Sequence, residues 1–227
     1  MIEAEMKSKI PKLENWEDVL TSNIFGLLEL MDYKYLKDII SKSKNHKNHS
    51  IEETLKDRHI EHVELWKYDK SIGEPDVLVT LDDGTFFIIE VKYFSHEHNK
   101  KEQIPEDDEE NSAEYNENGQ LGKYLELEID CKKSDFIIYL TADYQSLKII
   151  ENSESSSKEC LDSIYHIHWN DFNEHLIKIK CDGIEKKIID KIIQYLNFKG
   201  FTYWRGFKYE FDVYNGIKTD IGGFYGR

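Results

Sequence analysis

The strongest constraint on the fold of this chain is a pair of β-rich runs on either side of the turn Asp82-Asp83-Gly84. The first run, 76–81, is Asp-Val-Leu-Val-Thr-Leu, and the second, 85–92, is Thr-Phe-Phe-Ile-Ile-Glu-Val-Lys. β-branched and aromatic residues favour strands, and Asp-Gly between two such runs is a strong hairpin signal. The sequence therefore predicts a β-hairpin near the middle of the chain.

The ends of this hairpin carry charged side chains. A three-residue turn places Asp76 opposite Glu90, whereas a two-residue turn would shift the pairing by one residue. Opposed Cβ atoms lie about 4.5–5.5 Å apart, and like charges there are destabilising. A hard divalent cation with oxygen ligands would compensate for that repulsion. Lys92 shares a face with Glu90 and lies near enough to orient or polarise a water, with a pKa that burial and a cation can lower.

Other hydrophobic patterns place further elements around the hairpin and predict a mixed α/β sheet with helices on its faces. They predict, in chain order, a helix over 14–40, a polar loop with a short helix over 41–58, a strand over 62–68, a helix over 119–129 capped by Asn118, a buried strand over 135–142, a Ser-rich loop over 151–159, a strand over 164–169 and mostly helix over 170–197.

Pro75-Asp76, followed after thirteen residues by Glu90-x-Lys92, resembles the signature of the PD-(D/E)XK nuclease superfamily. The resemblance implies a restriction-endonuclease-like core of helix, three strands, helix and strand. It also implies a divalent-metal-dependent nuclease that hydrolyses DNA phosphodiester bonds, with Asp76 and Glu90 holding Mg²⁺ or Mn²⁺ and Lys92 orienting or activating water. Products with 5′-phosphate and 3′-hydroxyl ends, and a role in restriction, defence or mobile-element biology, are implied in the same way.

Two further features are similar to that superfamily. Many members carry a glutamate on the first helix that joins the metal site, and here Glu17 is the best match, with Asp18 as a rival. Many also carry Gln-x-x-x-Tyr on the helix after the motif, and Gln120 and Tyr124 fit as substrate-positioning residues on one helix face, with Gln120 also positioning water. The resemblance covers roughly residues 14–142. It predicts a nuclease-like core over 1–145, with a C-terminal α+β extension over 146–227 packed on the same domain.

The charge of the chain limits how it can bind a nucleic acid. Acids outnumber bases 45 to 30, which gives a formal charge of −15. This argues against nucleic-acid binding through bulk positive charge, but not against a site neutralised locally by metal. Residues 102–117 contain eight acids and no base, so a mobile acidic insertion is predicted at about 97–117. A homodimer or a protein partner is compatible with this charge.

The sequence also indicates where the protein acts. No run approaches the 18 to 20 apolar residues of a membrane span. The first residues have neither a basic start nor an apolar stretch, and the three cysteines are widely spaced. A reduced, cytoplasmic protein without membrane contact is therefore expected.

Several alternatives remain open from the sequence. The chain could be a catalytically silent DNA-binding or assembly module on the same fold, an RNase, or a nuclease subunit that needs a partner. An acid at Glu17 is also an ordinary partner of a helix dipole. The histidine pairs at 46/49, 96/98 and 166/168 have no cysteine at ligand spacing, which favours solvated or packing roles over zinc. The C-terminal aromatics could stack on bases, although core closure is favoured.

Overall fold

The computed structural model describes residues 2–9, 17–70, 73–93, 120–129, 132–153 and 160–202. The elements in chain order are α1 Ile2–Met6, α2 Glu17–Leu28, α3 Lys34–Ile40, β1 Lys44–Asn45, α4 Glu52–Leu55, β2 Ile60–Leu65, β3 Val77–Leu81, β4 Phe86–Val91, α5 Gln120–Leu125, β5 Glu128–Ile129, β6 Lys132–Lys133, β7 Ile137–Thr141, α6 Ser146–Ser153, β8 Ile164–His168, α7 Trp169–Lys178 and α8 Gly183–Phe198. The predicted acidic insertion at 97–117 lies outside the described residues.

A six-stranded mixed sheet in the order β1-β8-β7-β4-β3-β2 forms the centre of the molecule. Strands β2, β3 and β4 are antiparallel neighbours, while β4, β7 and β8 run parallel to one another. The expected α/β class with a mixed sheet and flanking helices is therefore confirmed. In the described residues, no helix is both long and apolar enough to cross a membrane.

Helices cover both faces of the sheet because strand residues alternate between two apolar clusters. The larger cluster joins Val79, Ile89 and Leu140 of the sheet to buried residues of α2, α3, α7 and α8. The smaller cluster joins Ile88 and Tyr139 to residues of α5 and α6. Strand β8 therefore belongs to the same sheet as the hairpin, and helices α7 and α8 pack into the same core. All three elements lie beyond residue 145.

The helix predicted over 14–40 is wrong as a single element. Within its described part, α2 ends at Leu28, and the turn bonds Leu30 N to Leu27 O and Met31 N to Leu28 O close it. The Asp32 carboxylate then accepts a hydrogen bond from Lys34 N at 2.9 Å and starts α3. This local competition by an Asp side chain favours a new N-terminus over helix continuation.

Three other boundaries differ from the sequence prediction. The helix predicted to reach residue 129 ends at Leu125, because Glu128–Ile129 pairs with Lys132–Lys133 in a small hairpin. The polar segment 41–58 holds the expected short helix and also an edge strand, β1, which pairs with β8. Part of the segment predicted as a Ser-rich loop is helical, because α6 extends to Ser153 and packs its own Ile150 into the smaller cluster.

Candidate metal and acid–lysine site

The hairpin has the register that brings its two acids together. Val77 pairs with Ile89, and the pairing continues without a shift to the three-residue turn, where Leu81 N donates to Thr85 O at 2.8 Å. Gly84 occupies the last turn position with φ +73°, the left-handed conformation that such turns require. One further step along this register places Asp76 opposite Glu90.

Asp76 is fixed on both sides by backbone groups. Its Oδ2 atom accepts a hydrogen bond from Val91 N at 2.8 Å. On the other side, its own carbonyl accepts one from Trp66 N at 3.1 Å. Trp66 has φ +53°, an uncommon conformation for a bulky residue. The carboxylate of Asp76 is thus held by the sheet itself rather than by a loop.

Glu90 lies almost fully out of solvent beside Lys92. The Lys92 Nζ to Glu90 Oε1 distance is 2.7 Å, and the two side chains are only 8% and 2% exposed. The second oxygen of Glu90, Oε2, is buried and has no N–H or hydroxyl donor among the described residues, while the Asp76 carboxyl lies close enough to share a proton with Glu90. One lone oxygen of a buried carboxylate is therefore left for a proton or a cation.

Glu17 joins this group from the start of helix α2. Its Oε1 atom accepts a hydrogen bond from Tyr93 N at 3.0 Å, and its Oε2 atom lies 3.6 Å from Lys92 Nζ. Asp18, its rival in the sequence, is exposed at the start of the same helix. The structure thus brings Glu17, Glu90, Lys92 and Asp76 together and leaves Asp18 outside.

Electrostatics in this cluster raise all three shifted pKa values. Burial, followed by the charge of Asp76, raises the pKa of Glu90 to about 8. Burial also raises the pKa of Asp76, against the opposing effects of Lys92 and the Val91 N–H. Burial opposes the charge of Lys92, but the carboxylates of Glu90, Asp76 and Glu17 outweigh it and raise the pKa of Lys92 above its ordinary value. A bound cation would oppose this effect, so the lowered pKa expected for Lys92 stays a prediction, and without metal the three carboxylates favour its charged form.

The donor set of this site is compatible with a hard cation. The described residues contain no cluster of three or more His, Cys, Asp or Glu side chains suited to a metal ion. Mg²⁺, however, is usually held by one or two protein carboxylates, with waters and substrate phosphates completing its shell. Asp76 and Glu90, whose Oε2 atom has no N–H or hydroxyl donor among the described residues, supply these two carboxylates. A metal that depends on substrate for part of its coordination therefore fits, whereas an all-protein cage does not.

Helix α5 carries the predicted positioning pair. Gln120 is the first residue of the helix, and its side chain lies outside the described part of the structure. Tyr124 is 3% exposed, and its hydroxyl donates to Glu74 O at 3.2 Å. Tyr124 thus contacts the backbone two residues before Asp76.

The predicted histidine pairs occupy different settings. His46 contacts Asp162, with 2.7 Å between Nε2 and Oδ1. His166 and His168 both lie 3.1 Å from the Ser146 hydroxyl, and burial lowers the pKa of His166 to about 4. The pair 96/98 is outside the described residues.

One hydrogen bond to the backbone of Lys92 could not be predicted from the sequence. Trp169 is fully buried, and its indole N–H donates to Lys92 O at 3.1 Å. The two residues are 77 positions apart, and no local pattern links them. Only the parallel alignment of β8 with β7 and β4 places Trp169 beside the end of β4.

No protein-family model matches the chain, and no curated protein or solved structure is significantly similar to it.

Proposed function

We propose that the protein is a divalent-metal-dependent nuclease that hydrolyses phosphodiester bonds of DNA, built on a restriction-endonuclease-like core. The observation that carries this proposal is the buried acid pair Asp76 and Glu90, opposed on adjacent strands with Lys92 two residues further along. With the intervening elements α3, β1, α4, β5 and β6 left aside, the order α2, β2, β3, β4, α5 and β7 supports the fold, because it matches the helix, three strands, helix and strand of that core.

Asp76 and Glu90 would hold Mg²⁺ or Mn²⁺ through their carboxylate oxygens, and the ion would replace the proton that the two carboxyl groups can share. Such an ion supplies Lewis-acid polarisation of a phosphoryl oxygen and a more acidic water. Glu17 is less suited to direct ligation, because one oxygen accepts the Tyr93 N–H and the other faces Lys92. Its role in the proposal is to hold the lysine and to complete the negative charge around the ion.

Lys92 would act through the positive charge of its ammonium group, by orienting or activating the attacking water. Its ammonium is held by Glu90 and Glu17, and its pKa lies above the ordinary value. An ammonium in this position can orient a water and stabilise the negative charge that develops on the phosphoryl oxygens. Tyr124 would act through the Glu74 carbonyl, by fixing the chain that enters Asp76. Gln120 remains the proposed residue for positioning substrate or water.

The formal charge of −15 favours a second candidate function of the same kind, a nuclease subunit that needs a partner. An acidic surface repels bare nucleic acid, and a basic partner would supply the missing attraction. A basic protein partner fits this version, whereas a homodimer would pair two sites but double the negative charge.

The test is cleavage of plasmid, linear and single-stranded DNA by purified protein with Mn²⁺ and with chelator. The proposal predicts Mn²⁺-dependent cleavage that Asp76→Asn, Glu90→Gln and Lys92→Met each abolish. Glu64→Gln is the matched control, because Glu64 lies on the neighbouring strand β2 with its salt bridge at the surface. Cleavage by Asp76→Asn at the wild-type rate would contradict the proposed site.

A further inference from the structure

A small cavity opens at the carboxyl ends of the parallel strands β4, β7 and β8. It has a volume of about 240 Å³. Tyr93 follows β4, Ala142 follows β7, and Trp169 follows β8, so each of these strands contributes wall residues. In open α/β sheets this edge is where ligands bind.

The cavity shares a wall with the acid–lysine site. Tyr93, which lines the cavity, is the residue directly after Lys92, and its N–H donates to Glu17. Trp169, a second lining residue, donates its indole N–H to the carbonyl of Lys92. A group bound in the cavity would therefore lie next to the backbone that carries the lysine.

Aromatic rings form most of the wall. Trp169 and Phe201 are stacked with ring centroids 5.6 Å apart, and Tyr93 meets Phe201 edge-on at 5.2 Å. Tyr144 stands at the mouth, 75% exposed, with its ring 5.3 Å from that of His168. Tyr93, Trp169 and Phe201 are at most 5% exposed and form the floor of the cavity. Tyr144 and the partly exposed His168 present accessible ring surface, and such flat rings suit another flat ring.

Asn170 fixes the exposed ring at the mouth of the cavity, and its amide oxygen has no hydrogen-bond partner among the described residues. Asn170 Nδ2 donates to the Tyr144 hydroxyl at 2.9 Å, which fixes the exposed ring. The other amide atom, Oδ1 of Asn170, is buried and has no hydrogen-bond partner among the described residues. A donor on the edge of a bound heterocycle would satisfy it.

The negative charge of the protein favours contacts with bases over contacts with phosphates. A formal charge of −15 leaves the chain without the bulk positive charge that would neutralise phosphates and release their counterions. Stacking on a base does not depend on the sign of the protein charge, because every base has a π-face.

We propose that the cavity lined by Tyr93, Tyr144, His168, Trp169 and Phe201 binds one unpaired nucleobase of the substrate strand, so that the protein acts on single-stranded DNA or on unpaired positions. The choice of ligand rests on the proposed nuclease function. A base within a duplex is stacked and must be extruded at a cost before it can enter a pocket. Single-stranded DNA is therefore bound more tightly than duplex of the same length.

Binding of the full-length protein to two labelled single strands in chelator tests this inference without any cleavage. One probe is twelve thymidylates, and the other is a strand of the same length with abasic sugars, which carries the same phosphates. Wild type should prefer the strand with bases. Tyr144→Ala should weaken binding of the thymidylate strand roughly 5- to 150-fold and leave binding of the abasic strand unchanged. Ala142→Leu, which fills the cavity, should have the same effect.

Tyr68→Ala is the matched control, because Tyr68 is 69% exposed and does not line the cavity. Equal or undetectable binding of the two strands by wild type overturns the inference, as does a base preference that survives both Tyr144→Ala and Ala142→Leu. The Mn²⁺ cleavage assay separates the two proposals. Cleavage without a base preference refutes the cavity alone, and a Tyr144-dependent base preference without cleavage refutes the nuclease alone.

Discussion

The ammonium of Lys92 lies 2.7 Å from the Glu90 carboxylate, and neither side chain is more than 8% exposed. A buried pair of this kind costs desolvation energy that the attraction only just offsets, so removal of one partner is more damaging than replacement of both. Such a pair is weak evidence of a purely stabilising role. Together with Asp76, this pair places two carboxyl groups beside one ammonium, so a proton or a cation would neutralise the remaining negative charge.

Lys92→Met should therefore destabilise the protein in a pH-dependent way. At pH 9, where Glu90 is ionised, loss of its partner should lower the free energy of unfolding by about 3–5 kcal/mol. At pH 6 the cost should be smaller, because Glu90 has a raised pKa and can take up a proton instead. Urea unfolding in chelator at both pH values measures the difference. Lys132→Met, at an exposed lysine, is the control, and an equal cost at the two pH values would contradict this coupling.

The stability of the metal-free protein should fall as the pH rises from 7 to 9. Burial raises the pKa of Glu90 from 4.5 to about 8, so the native state holds its proton more tightly than the unfolded state does. The resulting stabilisation is complete below pH 4.5 and is lost as the pH rises through 8. Asp76 acts in the same direction.

Glu90→Gln should remove most of this slope in chelator, although it should be less stable than wild type at pH 9, because the buried ammonium of Lys92 then loses a charged partner. The range above pH 7 avoids His166, whose pKa is lowered to about 4, and Asp83, whose pKa is lowered to about 2. Parallel stability curves for the two proteins between pH 7 and 9 would show that Glu90 is ionised throughout.

Glu17→Gln tests whether the first helix serves the site. The amide oxygen can still accept the Tyr93 N–H, so the fold should be preserved, but the negative charge 3.6 Å from Lys92 is lost. We expect cleavage to need a several-fold higher Mn²⁺ concentration. Asp18→Asn, on the exposed neighbouring residue, should behave as wild type. A larger effect from Asp18→Asn than from Glu17→Gln would reverse the assignment.

Deletion of residues 102–117 should tighten DNA binding. The segment carries eight acids and no base, so its removal changes the formal charge from −15 to −7. The gain should be greatest at low salt, because screening weakens the repulsion as salt is added. Titration of labelled DNA at several salt concentrations measures it, with substitution of the same length of Gly and Ser as a control for chain length. Affinity that does not change at low salt would count against repulsion by this segment.

The site divides into parts that sequence reasoning can and cannot predict. The pairing of Asp76 with Glu90 follows from turn length and strand alternation, and both are local properties of the sequence. Glu17 can be proposed only as one of two acids, because the contact that selects it, with Tyr93 N, spans 76 residues. The break between α2 and α3 escapes prediction because one Asp32 side chain competes with continuous helical periodicity. The aromatic cavity depends on the alignment of three parallel strands, which periodicity does not determine.

Metal-linked stability tests the central claim, that Asp76 and Glu90 form a metal site, most directly. The measurement is urea unfolding of wild type, Asp76→Asn and Glu64→Gln in chelator and in Mn²⁺. Asp76→Asn keeps an oxygen to accept the Val91 N–H and removes one of two opposed charges, so it should be at least as stable as wild type in chelator. Mn²⁺ at about 100 times its dissociation constant should stabilise wild type and Glu64→Gln by about 2.7 kcal/mol, and Asp76→Asn by much less. Equal stabilisation of all three proteins by Mn²⁺ would contradict the account.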